Sequence, residues 1–218
     1  MNSGHNTKLP KKEKREVILQ ASWKLIHQYG YQKTTIEDIA REAGIAKGTI
    51  YLYFKSKSEI MLALVDMTNL RIADEQDQIA AKNNPPAEKL RACLKHRVMT
   101  LFDIINRHPH GEEMVTSLLP DIVHRLDWYV TRNGELLGKI IEEGCADGVF
   151  DVAEPRETGQ LLARLFEHLT PPYYRFDSRK SLEQFTDHLL DLLSTGLWTK
   201  DQNTKRIPQS SKKTRRRQ

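Results

Sequence analysis

Apolar residues recur every three to four positions over most of the chain, and this spacing predicts α-helices. The alternation of apolar and polar residues that is typical of β-strands is missing. Glycines, prolines and capping motifs divide the pattern into about nine predicted helices. These helices cover roughly residues 12–29, 35–43, 47–54, 56–82, 86–107, 111–118, 121–147, 155–169 and 180–198. The sequence therefore predicts an all-α fold.

The clearest local motifs surround the second and third predicted helices. Residues 34–38 fit two overlapping capping boxes, one with Thr34 and one with Thr35 as the N-cap, and both remain open. Gly44 at the end of the second helix predicts a Schellman motif. Only a tight turn then precedes the short third helix, for which we expect residues 47–54. A further break comes at Pro120, before which we expect the sixth helix to end.

Two helices joined by a tight turn, the second of them short, basic and aromatic, are typical of a helix-turn-helix motif, here about residues 35–54. In such a motif the second helix enters the DNA major groove. Gly48 in the middle of that helix costs about 1 kcal/mol of helix propensity relative to Ala, which is expected where the backbone approaches a partner closely. Lys55 and Lys57 stand at the start of the next helix, where cations oppose the helix dipole and a bound phosphate would reverse that penalty.

Charge is distributed unevenly along the chain. Residues 1–60 hold 11 Lys and Arg against 6 Asp and Glu, residues 61–198 hold 15 against 22, and residues 199–218 hold 8 against 1. Basic ends around an acidic middle favour binding of a polyanion at the ends, although charge alone fits a purely solubilising surface equally well. The last segment has almost no apolar residue and is predicted to be a disordered tail, for which phosphate attraction and simple solubilisation both remain open.

Several classes of protein are disfavoured by what the sequence lacks. No run approaches the roughly 18 apolar residues of a membrane span, and the N-terminus lacks the apolar core of a signal peptide, so a cytoplasmic protein is expected. Cys93 and Cys145 have neither disulfide-framework nor zinc-site spacing, and no metal or cofactor is expected. No catalytic motif is present. We therefore expect no enzyme, and we keep a helical enzyme for an anionic substrate and a nonspecific architectural DNA-binding protein as alternatives.

From the N-terminal arm through Val65, the chain resembles the DNA-binding domain of the tetracycline-repressor (TetR) family of regulators. The matching residues are Gly30-Tyr31, Thr34-Thr35, Ile39-Ala40, Ala43-Gly44, the run from Lys47 to Phe54, and Lys57-Ser58-Glu59. The rest of the chain is similar to the family only in its helical architecture. The resemblance implies a flexible arm (1–11), a three-helix helix-turn-helix DNA-binding domain (12–72), a helical ligand-binding and dimerisation domain (73–198) and the basic tail (199–218).

The resemblance also implies which residues contact DNA. Phosphate contacts are expected from Thr35, Tyr51, Tyr53 and Lys57, and contacts with base edges from Lys47, Gly48 and Thr49. Two alternatives remain open: Thr35 could act only as a helix cap, and Tyr51 could be mainly an aromatic residue of the core. Ala46 stands where the family commonly has Ser, which removes a cap and a possible hydrogen bond to a phosphate.

The resemblance further implies that the protein binds a palindromic double-stranded operator as a homodimer formed through its last two helices. Two recognition helices about 34 to 36 Å apart read successive major grooves on one face of DNA. We expect a repressor that a small-molecule effector of unknown identity releases. Met99, Phe102, Trp128 and Phe166 are candidates to line an effector cavity, but such residues are also typical of ordinary core, so no ligand residue is assigned.

Overall fold

The computed structural model describes residues 10–107, 109–170, 173 and 176–195, with Lys11 and residues 112–125 described by their backbone alone. Over this part of the chain it contains eight α-helices and no strand, as an all-α fold requires. The helices are α1 (Lys11–Tyr29), α2 (Ile36–Glu42), α3 (Lys47–Tyr51), α4 (Lys57–Ala80), α5 (Pro86–Asn106), α6 (Gly111–Ala146), α7 (Pro155–Glu167) and α8 (Arg179–Thr195). The predicted arm up to residue 9 and the predicted basic tail lie outside the described residues.

The helix α6 corrects the predicted number of helices. Its 36 residues run from Gly111 to Ala146 as one helix, whereas the sequence predicted a break before Pro120. A proline inside a helix removes a backbone hydrogen bond and costs about 3 kcal/mol. α6 packs against α4, α5 and α7, and buries Val130, Leu137 and Ile141 there. Burial of this long apolar face outweighs the local penalty, so the described part of the chain has eight helices instead of nine.

The first three helices and the start of α4 enclose one apolar core, which we call the head core. Ile18, Ile39, Ile50 and Ile60 have no exposed surface in it. The remaining members of the head core include Leu19, Leu25, Ile26, Phe54, Met61 and Leu64. The head core therefore holds together the two helices of the predicted helix-turn-helix motif.

A second core, the body core, lies among α5, α6, α7 and α8. Its buried members include Leu94, Val98, Met99, Phe102, Leu137, Ile141, Phe166 and Leu182. Three of the four candidate cavity residues are thus members of this core, whereas Trp128 is 57 % exposed. None of the described helices combines the length and apolar character that crossing a membrane requires.

α4 belongs to both cores and connects them. Its first turns contribute Met61 and Leu64 to the head core, and its last turn packs Ile79 and Ala80 against the body core. The predicted domain boundary between residues 72 and 73 falls inside this helix and stays a prediction. Movement of α4 relative to the body would therefore carry the head with it.

Buried polar side chains link α4 directly to α5 and α6 and, through Arg97, to α7. Gln76 on α4 donates a hydrogen bond to Oδ1 of Asn133 on α6 at 3.0 Å. Arg97 on α5 donates to Oδ1 of Asn69 on α4 at 3.3 Å and, through Nε, to the carboxylate of Glu167 on α7 at 2.8 Å. Buried polar groups that satisfy one another in this way are costly to separate. The cluster therefore favours one position of α4 on the body.

Candidate nucleic-acid interface

A capping box fixes the start of α2. Oγ1 of Thr35 accepts a hydrogen bond from the Asp38 N–H at 3.1 Å, and the Asp38 carboxylate accepts from the Thr35 N–H at 3.2 Å and from its hydroxyl at 2.6 Å. These hydrogen bonds hold the pKa of Asp38 below its ordinary value. Thr34, the other candidate cap, is buried and donates its hydroxyl to the Gly30 carbonyl at 2.8 Å. Thr35 is therefore the cap, and its additional contact with a phosphate stays a prediction.

The turn from α2 to α3 has the predicted Schellman geometry. Gly44 has a φ of 64°, which glycine adopts without the strain that a side chain would introduce. The Ile45 N–H donates to the Ala40 carbonyl at 3.0 Å, and the Gly44 N–H donates to the Arg41 carbonyl at 3.2 Å. These bonds set the direction in which the chain enters α3.

The helix α3 is shorter than predicted: it ends at Tyr51, whereas the sequence predicted an end at Phe54. Ala46 caps it with no side-chain hydrogen bond, as the replacement of the family's usual Ser implies. Ile50 and Phe54 are buried beneath it in the head core. The helical repeat of 3.6 residues places the opposite side of α3 in solvent, so this side is the candidate reading surface.

Gly48 and Thr49 of α3, together with Leu52 at its C-cap, form that outward side. Gly48 is exposed, Thr49 is partly exposed and Leu52 is 82 % exposed. A Cβ added to Gly48 would meet no atom within 4 Å in the described part of the chain. Packing inside the protein therefore gives no reason for a glycine there, and close approach of an external partner does.

Lys47 and the two tyrosines border the outward side. Lys47 forms an ion pair with Glu37 on α2, which raises the pKa of Lys47 and lowers the pKa of Glu37. Its ammonium must leave this exposed carboxylate to reach a DNA base. Tyr51 is 48 % exposed, which disfavours a mainly structural role, and Tyr53 is partly buried against the head core.

Lys57, the last predicted contact, differs from the other six in its surroundings. It is the first residue of α4, and its Nζ donates hydrogen bonds to the backbone carbonyls of Tyr31 at 2.8 Å and Thr34 at 3.0 Å. The structure thus brings six of the seven predicted residues to the surface around α2 and α3. The ammonium of the seventh, Lys57, is instead bonded to backbone carbonyls of the protein. Its contact with a phosphate stays a prediction.

Sequence reasoning missed Leu52 as a candidate for DNA contact. The helical spacing that marks Ile50 and Phe54 as buried also places Leu52 on the opposite side, one turn after Gly48 and Thr49. An apolar side chain in the major groove can contact the methyl group of thymine. The spacing alone was therefore sufficient to include this residue.

Replacing Gly48 by Ala should separate binding from stability. The added methyl group meets open space and improves helix propensity, so the free energy of unfolding should stay unchanged or rise by up to about 1 kcal/mol. Affinity for DNA should fall, because the methyl group occupies the space that a base needs. Denaturant unfolding and fluorescence-anisotropy titration measure the two quantities.

Gly44→Ala is the matched control for this experiment. Its Cβ also meets nothing within 4 Å of the described chain, but its φ of 64° strains any side chain, so this variant should lose stability. A Gly48→Ala protein that binds DNA as tightly as the wild type would contradict the assignment of the reading surface.

Comparison with protein families supports this assignment of the head and the body. Residues 18–64 match the family model described as bacterial regulatory proteins, tetR family, and residues 86–190 match that of the tetracyclin repressor-like C-terminal domain. The first range contains α2, α3 and most of the head core, and the second extends from the start of α5 into α8.

Relatives and solved structures with the same organisation cover most of the chain. The HTH-type transcriptional repressor KstR2 of Mycolicibacterium smegmatis is 30 % identical over 144 residues, covering 63 % of this chain and 67 % of its own. A TetR/AcrR-family regulator from Thermobifida fusca aligns with a TM-score of 0.67 at 23 % identity, over 86 % of this chain and 100 % of its own. FadR from Bacillus subtilis in complex with stearoyl-CoA aligns with a TM-score of 0.59 at 22 % identity, over 84 % and 99 % of the two chains. At these identities the two structures show a shared fold.

Proposed function

The chain belongs to the TetR family of bacterial transcriptional regulators, and we propose that the outward side of α3 reads the base edges of its operator in the DNA major groove. The observation that carries the proposal is the orientation of α3. Burial of Ile50 and Phe54 leaves Gly48, Thr49 and Leu52 on the solvent side. A short helix whose exposed side is not needed by the protein's own core is suited to enter a groove.

Three side chains on or beside this side suit particular bases. The Lys47 ammonium can donate to the two acceptors of guanine once it leaves Glu37. The Thr49 methyl group and Leu52 suit the methyl group of thymine. Gly48 lets the backbone of α3 approach the floor of the groove. Together these residues provide sequence-dependent contacts, as a specific regulator requires.

Phosphate contacts are proposed for the residues around the reading surface. The hydroxyls of Tyr51 and Tyr53 and the start of α2 at Thr35 provide donors that position the head on the DNA backbone. Residues 61–198 carry 15 basic against 22 acidic side chains, so the body repels DNA while the head approaches it. We place this activity in the cytoplasm, where bacterial operators are accessible.

Replacement of Lys47 and Tyr53 by Ala tests the proposed reading surface. Lys47 is exposed and Tyr53 is only partly buried against the head core, so the double variant should fold, with a modest loss of stability from the missing Tyr53 packing. It should lose affinity for the operator by about 100-fold or more, since a good base contact contributes about 1–3 kcal/mol of discrimination. Anisotropy titrations with an operator recovered from random DNA, and with random DNA itself, measure the loss.

Lys139→Ala removes an equally exposed lysine from the body and is the control. Retention of operator affinity by the double variant would contradict the proposal. Equal affinity of the wild type for operator and random DNA would favour the architectural alternative.

We also propose that α7 and α8 form the dimer interface. The outer sides of both helices expose large apolar residues. The most exposed is Leu161, at 66 %, and the others are Leu165, Phe185, Leu192 and Leu193. Apolar residues exposed together on a single chain are typical of surfaces that a partner covers. A twofold axis between two such pairs of helices would place two heads on one face of the operator.

Replacement of Leu161 and Leu165 by Glu tests this interface. Two carboxylates on the outer side of α7 would have to be buried in the dimer, so sedimentation should show a monomer with unchanged helical content. The control is the pair Met67→Glu and Leu70→Glu, an exposed apolar pair on α4 that should leave the dimer intact. A dimer that persists in the α7 variant would place the interface elsewhere.

The proposed effector is an acyl-CoA that binds the body. This class is suggested by FadR from Bacillus subtilis, whose structure contains stearoyl-CoA. In the present chain, α4 is the helix through which a change in the body reaches the head, because Asn69 and Gln76 bond it to α5 and α6. Arg97 of α5, the partner of Asn69, extends this link to Glu167 on α7. An effector acts only if it binds the released form more tightly than the form on DNA.

Addition of stearoyl-CoA to the operator complex should therefore release the protein. Fluorescence anisotropy of labelled operator measures the release, and coenzyme A without the acyl chain is the control. An unchanged operator affinity at saturating stearoyl-CoA would rule out this effector, and it would leave the DNA-binding proposal untouched.

A further inference from the structure

We infer that Lys57 positions the two DNA-binding helices from within the head, and that Lys55 is the residue that neutralises a phosphate at this edge of the reading surface. The inference rests on the proposed operator binding and assigns two neighbouring lysines to different tasks. Lys57 is the first residue of α4 and Lys55 lies two residues before it, and of these two lysines the sequence predicted a phosphate contact for Lys57 alone.

The ammonium of Lys57 is bonded to the segment between α1 and α2. Its Nζ lies 2.8 Å from the Tyr31 carbonyl oxygen, 3.0 Å from that of Thr34 and 3.4 Å from that of Gln32. An ammonium has three N–H donors, and these carbonyls are acceptors for them within the protein. Nζ also lies 4.3 Å from the centre of the Tyr31 ring, in the geometry of a cation–π contact.

These carbonyls also explain why a lysine is tolerated at the first position of α4. A cation at this position interacts unfavourably with the helix dipole, and a bound phosphate could compensate that unfavourable interaction. Three carbonyl oxygens supply negative partial charge from within the protein. The position of Lys57 therefore has a structural cause that needs no DNA.

The segment that Lys57 holds determines where α2 begins. The ring of Tyr31 is buried in the head core, and the Thr34 hydroxyl is bonded to Gly30 within the same segment. Thr35 follows directly as the cap of α2. Lys57 thus connects the start of α2 to the start of α4, and α3 lies between these two helices in the chain. Release of this connection would let the α2–α3 pair shift relative to α4.

The surroundings of Lys55 are different. Lys55 is exposed in the turn between α3 and α4, and its backbone N–H donates to the carboxylate of Glu59 at 2.5 Å. Ser56 Oγ accepts the Glu59 N–H at 3.1 Å and fixes the same turn. The described residues provide no hydrogen bond or ion pair to the Lys55 ammonium. A rigid turn beside the reading surface therefore presents a cation to the DNA backbone.

The salt dependence of operator binding separates the two roles. Each lysine is replaced by Met, which keeps most of the side chain and removes the charge. Loss of a phosphate contact from both heads of a dimer should reduce the slope of log K against log salt concentration by about 1.8, since each contact contributes about 0.9. We expect this reduction for Lys55→Met. For Lys57→Met we expect weaker binding at every salt concentration, an unchanged slope and a lower melting temperature.

Lys57→Arg keeps the test decisive if Lys57→Met folds poorly. Arginine keeps the charge and binds phosphates well, but its planar guanidinium does not match three carbonyls arranged around a single ammonium. If Lys57 positions the helices, this variant should lose at least about tenfold in operator affinity at temperatures where it is folded. Wild-type affinity of Lys57→Arg would overturn the inference.

A slope that falls for Lys57→Met and stays constant for Lys55→Met would also overturn it, because the two roles would be exchanged. Failure of the proposed function has a separate outcome. In that case the wild-type protein itself would bind operator and random DNA with equal affinity, before either lysine is changed.

Discussion

The burial of Ile50 and Phe54 is the interaction on which the reading surface depends. A helix of five residues is not stable alone in water, so α3 exists because these two side chains fill the head core beside Ile39 and Ile60. Burial of each contributes about 1.5–3 kcal/mol. The same contacts fix the rotation of α3 about its axis. Exposure of Gly48 and Leu52 is thus a consequence of core packing.

The second structural constraint is the continuity of α4 between the head and the body. One helix carries Met61 into the head core and Ile79 against the body core, so the two cores cannot move independently without bending it. The hydrogen bonds of the polar cluster around Arg97 and Gln76 then connect this helix to the body. An effector that favours another arrangement of the cluster would change the spacing of the two heads in a dimer.

The sequence predicted those features that depend on residues close together in the chain. The Schellman turn at Gly44, the capping of α2 and the apolar side of α3 involve neighbours within about one helical turn, and the structure contains all three. The choice between Thr34 and Thr35 as the cap remained open because it depends on which hydroxyl the head core buries.

Features that depend on distant contacts could not be predicted in the same way. Pro120 lies inside α6 because the rest of that helix packs against three others. The direction of Lys57 depends on carbonyls more than twenty residues earlier in the chain. Leu52 is a different case, because its position opposite Ile50 and Phe54 follows from the local helical spacing.

The most direct test of the account is a selection of bound sequences from random DNA, performed with the wild type and with Lys47→Gln. Lysine prefers the two acceptors of guanine, whereas glutamine prefers the acceptor and donor of adenine. The wild type should yield a palindrome, and the variant should yield the same palindrome with guanine changed to adenine at one symmetric pair of positions. Recovery of no motif by the wild type would contradict the claim that α3 reads the operator, and recovery of an identical motif by both proteins would contradict the claim that Lys47 reads a base.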